Sequence, residues 1–340
     1  MKCRKCGEKA VINMRQHKLA LCETHFLDWV PEQTQRFIEK YEMFTPEDKI
    51  LVAVSGGKDS LSLWEVLIRL GYHADGLYIG LGIDGGVGYS DESHRLSQKF
   101  ADERGLNLQV VEVEQSYGAT IPELAVISNR GRDKPCSVCG LSKRYIMNRA
   151  AYDGGYNVLA TGHNLDDEAA VLMQNTLHWA GGYLVRQAPV LLATHVGLAR
   201  KVKPLCRFYE REMAAYAIVR GIEYIYDECP HAVGSTTIYY KEILNQLEEK
   251  SPGSKLQFYL SFLQAKEQGL FAPQSVEVEL HACDKCGQPT SAPGECSFCR
   301  MWEKVRAVKG ARLPIEVLSP MSEVLSSKSE VLSQETEAGI

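Results

Sequence analysis

Leu51-Val52-Ala53-Val54-Ser55-Gly56-Gly57-Lys58-Asp59-Ser60 is an apolar strand that runs directly into a turn of serine and glycine. Ser55, Gly56 and Gly57 make the turn tight, and Ser60 opens a helical pattern that continues to Leu70. Two glycines let the backbone approach an anion closely, and the N–H groups at a helix start, with the positive end of its dipole, then cradle it. The spacing is not that of the P-loop, which places four residues between its first glycine and Gly-Lys-[Ser/Thr]. The plain structural reading is a strand-to-helix turn, but a strand of this kind in front of it points to phosphate.

Outward from this segment the chain alternates in βαβ fashion, which predicts a parallel sheet covered by helices. Candidate strands are Ile50–Val54, Asp75–Ile79, Leu108–Val113, Val158–Thr161 and Ile222–Ile225. Candidate helices are Ser60–Leu70, Asp91–Arg104, Leu141–Ala151, Asp166–Leu177 and Tyr209–Arg220, with two more between Ile238 and Lys266 broken at Ser251-Pro252-Gly253. Ligands of such sheets bind where the strands end at their carboxyl edge, and the Ser55–Ser60 turn lies there.

The 340 residues predict more than one unit, and 45% apolar with 24% charged residues is ordinary for a globular protein. No stretch has the length of a membrane span and the start lacks a signal-peptide core, so a cytoplasmic protein is expected. In a reducing compartment the 11 cysteines mean metal or redox chemistry rather than disulfides. Of the net charge of −5, residues 315–340 carry −4, five glutamates against Lys328, and leave −1 for the other 314 residues. Within these, Arg130, Arg132, Lys134, Lys143, Arg144 and Arg149 face only Asp133, and Arg200, Lys201, Lys203, Arg207 and Arg211 face Glu210. Such stretches can form a phosphate-binding face on a nearly neutral protein, or simply a solvated surface.

Cys3-x2-Cys6 followed by Cys22-x2-His25, and Cys283-x2-Cys286 followed by Cys296-x2-Cys299, each supply four ligands from two knuckles. Both suit tetrahedral zinc, and modules too small to bury a core would draw their folding free energy from the metal. The third group is different. Cys136 and Cys139 lie between a basic loop and a helix with no second pair nearby, and their plausible partners are Cys206 and Cys229. Cys206 reads as a packed thiol. Cys136, Cys139 and Cys229 suit a 4Fe–4S cluster with one iron open, or a pair of low-pKa thiols carrying a persulfide, or a buried structural pair. Thr161-Gly162-His163-Asn164-Leu165-Asp166-Asp167 is a strand end, a turn and an acidic helix start. Its carboxylates can cap the helix or hold Mg2+ on phosphates, and the two roles are compatible.

In this order the motifs resemble the TtuA/TtcA family of tRNA 2-thiolation enzymes, whose Ser-Gly-Gly-Lys-Asp-Ser segment is the PP-loop of the ATP pyrophosphatases. The likeness covers about residues 1–300 and is strongest to members that thiolate 5-methyluridine of the T loop. It implies an α/β fold, a doubly wound, mainly parallel sheet flanked by N- and C-terminal zinc fingers. The expected organisation is a finger at 1–30, a linker helix at 31–45, a PP-loop catalytic domain at 46–230, a helical extension at 231–275, a finger at 281–302 and a disordered tail at 311–340. The resemblance implies that ATP, bound by Ala53, Val54, Ser55, Gly56, Gly57, Lys58, Asp59, Ser60, Gly162, His163 and Asp166, adenylates the C2 oxygen of a tRNA uridine. AMP and pyrophosphate would be released. Lys143 and Asp167 match the family's catalytic positions, and Cys136, Cys139 and Cys229 its cluster ligands. A thiocarboxylated ubiquitin-like carrier or a persulfide protein would supply sulfur, and a homodimer is expected. The alternatives are wobble-uridine or cluster-free persulfide thiolation, another adenylating synthetase of this fold, and a non-catalytic zinc-finger RNA-binding protein.

Overall fold

At the N-terminus, Cys3, Cys6, Cys22 and His25 bracket a small antiparallel hairpin of β1 (Ile12–Met14) and β2 (Leu19–Leu21), joined through a 3-10 turn at Arg15–His17. The computed structural model describes residues 1–130, 135–271 and 279–310. The tail expected at 311–340, the end of the helical extension at 272–275, and Arg132, Asp133 and Lys134 lie outside the described residues.

Helix α1 (Glu23–Lys40) starts inside the finger and carries its ligand His25. The expected boundary at Pro31 is therefore corrected: finger and linker share one helix. Proline removes the N–H that would bond the carbonyl of Leu27, which ordinarily breaks a helix. Here Arg69 donates to that carbonyl at 2.9 Å, so no backbone group is left unpaired. Phe26, Trp29, Val30, Pro31 and Ile38 form the buried face of α1. Complete burial of a side chain such as Phe26 contributes roughly 1.5–3 kcal/mol.

The central sheet follows. Strands β3 (Ile50–Val54), β4 (Ala74–Gly80) and β5 (Leu108–Glu112) alternate with α2 (Lys58–Arg69) and α3 (Tyr89–Arg104). After α4 (Val113–Tyr117), α5 (Ile121–Ser128) and α6 (Cys136–Asp153) come β6 (Val158–Thr161), α7 (Leu165–Leu177), α8 (Gly181–Arg186), β7 (Val190–Leu191) and β8 (Arg200–Val202). The order across the sheet is β5-β4-β3-β6-β8-β7, parallel except for β7 at the edge. Four of the five residues of β3 are buried, as expected of a parallel strand covered on both faces. The chain winds away from β3 in one direction through β4 and β5, then returns to add β6 on its other side. This reversal opens a crevice at the carboxyl ends of β3 and β6.

The strand expected at Ile222–Ile225 does not form. Its alternation is real, with Ile222 and Tyr224 buried and Glu223 exposed. The ladder position beside β6 is filled by β8, however, and the N–H of Ile225 bonds Gly56 O at 2.9 Å. The segment therefore follows α9 (Glu210–Val219) as extended chain lying over the glycine-rich turn.

Helices α10 (Thr236–Lys250) and α11 (Ser254–Glu267) pack on α7. The second cysteine quartet sits in a hairpin of β9 (His281–Ala282) and β10 (Pro289–Thr290) and at the start of α12 (Ser297–Lys309), which extends past the expected end of the module at 302. Its aromatic face docks on α4–α6: Phe298 stacks on Tyr145 of α6 at 3.6 Å between centroids, and Trp302 packs against Tyr117. None of the described helices is long and apolar enough to cross a membrane.

Candidate active site

The turn from β3 to α2 is held in shape by its own serines. Ser60 Oγ accepts from the Ser55 N–H at 3.1 Å and donates to Gly57 O at 3.0 Å. Gly56 has φ +72°, and a Cβ there would meet Ser93 O at 2.5 Å; a side chain is excluded by conformation and by space. At the end of β6, a Cβ on Gly162 would lie 2.9 Å from the backbone of Asp59 and Ser60, so the two strand ends close tightly on one crevice. The N–H groups of Lys58, Asp59 and Ser60 open α2 and have no i−4 carbonyl, leaving an anion-binding helix start. Ala53 and Val54 belong to β3 with half-buried and buried side chains, so they can reach a nucleotide through their backbone.

An ion network surrounds this turn. Lys58 Nζ is 3.1 Å from Asp59 Oδ2 and 2.8 Å from Glu210 Oε1, the first residue of α9. Lys241 of α10 lies 3.1 Å from Glu210 Oε2 and 2.6 Å from Asp167 Oδ1. Burial alone would raise the Glu210 carboxyl, but Lys241 and Lys58 outweigh it and hold it down at about 2. Burial likewise disfavours the Lys58 ammonium, and Asp59 and Glu210 more than compensate, so it stays charged. Burial pushes the Asp59 carboxyl up against the pull of Lys58. Glu210, Lys241 and Lys255 escape a reading of the sequence because no local spacing ties them to the turn.

The adjacent carboxylates of α7 diverge. Asp167 caps the helix: its Oδ2 accepts from the Asn164 N–H at 3.1 Å, and Asn164 Oδ1 accepts from the Asp167 N–H at 3.2 Å. Asn164 also donates to Asp59 Oδ1 at 3.1 Å. Asp166 is buried, and both oxygens are engaged, Oδ1 with Lys255 at 2.5 Å and Oδ2 with the Glu210 N–H at 2.8 Å. Both oxygens of Asp167 are engaged as well, Oδ1 with Lys241 and Oδ2 with the Asn164 N–H, but its side chain is 27% exposed against 5% for Asp166. Asp166 ties α7 to α9 and α11. His163 stands exposed at the turn, with Nδ1 2.9 Å from Thr161 Oγ1.

The fold brings Cys136 and Cys139, on the first turn of α6, together with Cys229. Burial pushes the Cys139 thiol up from its ordinary range; Lys143 partly offsets this, while Cys229 and Cys136 push in the same direction as burial. Cys136 Sγ also lies 3.7 Å from His231 O, two residues beyond Cys229. Lys143 therefore stands beside the triad. Among the described residues only the two quartets gather their ligand atoms within 4.8 Å of one another. One tetrahedral ion needs that closeness, whereas a cluster of several irons, held at its corners, does not. Cys206 is fully buried and its thiol is pushed up to about 12 by burial, in keeping with a packed thiol.

Part of the basic stretches is taken up by pairing and packing, while Arg130, Lys143, Arg144 and Arg211 are exposed. Lys203 pairs with Glu168 at 2.7 Å, Arg149 with Asp153 at 2.6 Å, and the Arg207 guanidinium lies 4.8 Å from the ring centroid of Phe37. A further cationic concavity lies on the N-terminal module, lined by Lys2, Arg4, Arg15 and Lys18 and by no acid. Gln16 and His17 of that module hold Glu212 of α9 at 2.7 and 3.1 Å, two residues from Glu210.

Residues 2–27 match the model of the N-terminal LIM domain of 2-thiouridine synthetase TtuA, and residues 29–233 that of the PP-loop domain. The chain is 50% identical over 319 residues to a tRNA-5-methyluridine(54) 2-sulfurtransferase of Thermus thermophilus, covering 93% of this chain and 96% of the relative. It is 44% identical over 302 residues to a protein of the same name from Pyrococcus horikoshii, covering 89% and 94%. Among solved structures, the U34-tRNA thiolase NcsA of Methanococcus maripaludis with its [4Fe-4S] cluster shares the fold at a TM-score of 0.72 and 24% identity, over 90% of this chain and 96% of that one.

Proposed function

The chain belongs to the PP-loop family of tRNA 2-sulfurtransferases, and from its site we propose that it uses ATP to exchange the C2 oxygen of T-loop 5-methyluridine for sulfur. One observation carries the reading: a single segment, from Ile225 to His231, ties the phosphate-binding turn to the cysteine triad. Ile225 bonds Gly56 at one end, and His231 meets Cys136 at the other. Activation and sulfur delivery thus share one mouth.

In the proposed reaction the C2 oxygen attacks the α-phosphorus of ATP and pyrophosphate leaves. Sulfur then attacks C2, and AMP departs with the original oxygen. Lys58 and the amides at the start of α2 stabilise charge building on the phosphates. Asp167, facing the turn through Lys241, serves the nucleotide and its Mg2+. Lys143, beside Cys139, serves the base or its adenylate on the sulfur side. The donor set of Cys136, Cys139 and Cys229 fits a [4Fe–4S] cluster which, when bound, supplies an iron without a protein ligand at which sulfur is presented. The fold neighbour is a tRNA thiolase with a [4Fe-4S] cluster, which supports reading a cluster here. Cys3, Cys6, Cys22 and His25, and the quartet of Cys283, Cys286, Cys296 and Cys299, fit one structural zinc each.

The cationic concavity supports tRNA binding. For sulfur we propose a thiocarboxylated ubiquitin-like carrier or a persulfide protein, following the family. Leu177, Trp179, Tyr183 and Leu192, 60–79% exposed along the end of α7 and beyond, support a homodimer, and light scattering would test it. We place the reaction in the cytoplasm with its tRNA substrate. The decisive experiment is anaerobic purification, visible absorption, and incubation with unmodified tRNA, ATP, Mg2+ and sulfide. Mass spectrometry of nucleosides should find 2-thio-5-methyluridine, with AMP formed. No 2-thio product on any tRNA would overturn the reading, and a colourless active enzyme would remove the cluster.

A further inference from the structure

We infer that Tyr226 is the platform on which the extruded pyrimidine base of the tRNA stacks while its C2 is exchanged; this rests on the thiolation reading above. The base must reach the α-phosphorus held at Ser55–Ser60 and the sulfur held at the triad, so it lies between them. The segment that bridges these points has five residues between its anchors, Ile225 on Gly56 and His231 on Cys136, or six residue steps. Such a segment spans at most roughly 20 Å when fully extended. Within it Tyr226 is the one aromatic side chain besides His231, and it is 78% exposed.

The ring is placed by its surroundings. Tyr224 is buried beneath it, with ring centroids 4.5 Å apart and planes at 38°. Tyr224 lies close enough to the turn to be influenced by Lys58 and Asp59. Pro230 closes the far end: a Cβ on Gly85 would meet its Cγ at 2.1 Å, so the segment is buttressed by the β4–α3 loop. Tyr226 thus lies one residue from the turn's contact and three from Cys229, one side covered by Tyr224 and most of its surface open. Exposed aromatic rings of this kind take unpaired bases by stacking, whatever the base. Asp227 and Glu228, exposed beside it, repel phosphate, so the ring suits an uncharged base rather than the RNA backbone.

The test compares Tyr226→Ala, Tyr226→Phe and Tyr226→Trp in the full chain. Loss of one stacked base predicts that Tyr226→Ala lowers kcat/KM for tRNA by about 5- to 150-fold. The KM for ATP should be unchanged, and Phe and Trp should keep most of the activity. An unchanged kcat/KM overturns the inference, as does a raised KM for ATP with tRNA unaffected, which would make the ring an adenine platform. Failure of Phe to preserve activity overturns it too, since the hydroxyl would then be what matters. Binding gives a readout independent of chemistry and of the Ala variant's folding. Titrating Tyr226→Trp with unmodified tRNA should quench more indole emission than wild type shows, and no excess quenching overturns the inference. If wild type makes no thiolated nucleoside, the thiolation reading fails, while the quenching still decides whether a base stacks on this ring.

Discussion

The two quartets, one of four cysteines and one of three cysteines with His25, and the cysteine triad gather mostly thiols at different reach. Each quartet draws its ligands from two nearby knuckles and gathers them within 4.8 Å. The triad joins the first turn of α6 to a residue some ninety positions later, and its thiols are exposed or half-buried. Short loops close at little entropic cost, so a quartet can form around an ion with little help from the rest of the molecule. The triad exists only once α6 and the segment after α9 have been placed by the sheet. The difference teaches that the quartets can assemble from local chain, whereas the triad is placed by the fold, which suits the chemical role proposed for it.

Replacing Cys136, Cys139 or Cys229 with alanine should give the largest effect. Thiolation is expected to fall more than about 100-fold, beyond the loss typical of an outer-shell partner, with zinc content and thermal midpoint unchanged. Loss of zinc in these variants, read by elemental analysis, would break the comparison. Cys286→Ser should do the converse. One zinc equivalent is lost and the C-terminal module opens, because roughly 10–16 kcal/mol of apparent zinc-binding free energy in such modules is folding free energy. Proteolysis within residues 281–309 reads this, and activity should fall as well, because Phe298 steadies α6 through Tyr145.

The ion network sharpens the contrast on the side of the tertiary fold. Lys58→Met should lower kcat by about 100- to 1,000-fold, as loss of one charge-stabilising donor does, while a single-turnover assay still finds the tRNA bound. The smallest effect is one of pH. The Glu210 carboxyl, ordinarily near 4.5, is held at about 2 by Lys241 and Lys58. A lowered carboxyl contributes stability above its unfolded value and loses it as pH falls through the folded one. The stability advantage of wild type over Glu210→Gln should therefore be complete above about pH 4.5 and fade toward pH 2. Acid titration followed by circular dichroism would show parallel curves if the network contributes nothing.

Much of this was legible in the chain itself. Hydrophobic strands meeting glycine and serine specify the turn of Ser55–Ser60, because only a strand-to-helix reversal satisfies that pattern. Cysteine pairs at two-residue spacing specify the quartets, since both knuckles are local. Strand alternation misled at Ile222–Ile225, where the burial pattern of a strand served an extended segment packed over a loop. Pro31 misled as a helix start, because Arg69, distant in sequence, satisfies the carbonyl that proline orphans. Asp166 and Asp167 read alike in sequence and part company in space, since their neighbours come from α9, α10 and α11.

What the sequence determined by itself is whatever depends on residues a few positions apart: the glycine-serine turn, the Cys/His knuckles, the helix caps. Only the tertiary structure decided that Asp166 is buried while Asp167 is part-exposed, how Glu210 and Lys241 complete the charge around Lys58, and that Cys229 comes beside Cys139. It also left Tyr226 exposed on the segment between the Gly56 and Cys136 contacts. The physical reason is one of range, because backbone geometry and loop closure act locally, whereas charge pairing and ligand convergence depend on what the packed sheet brings side by side.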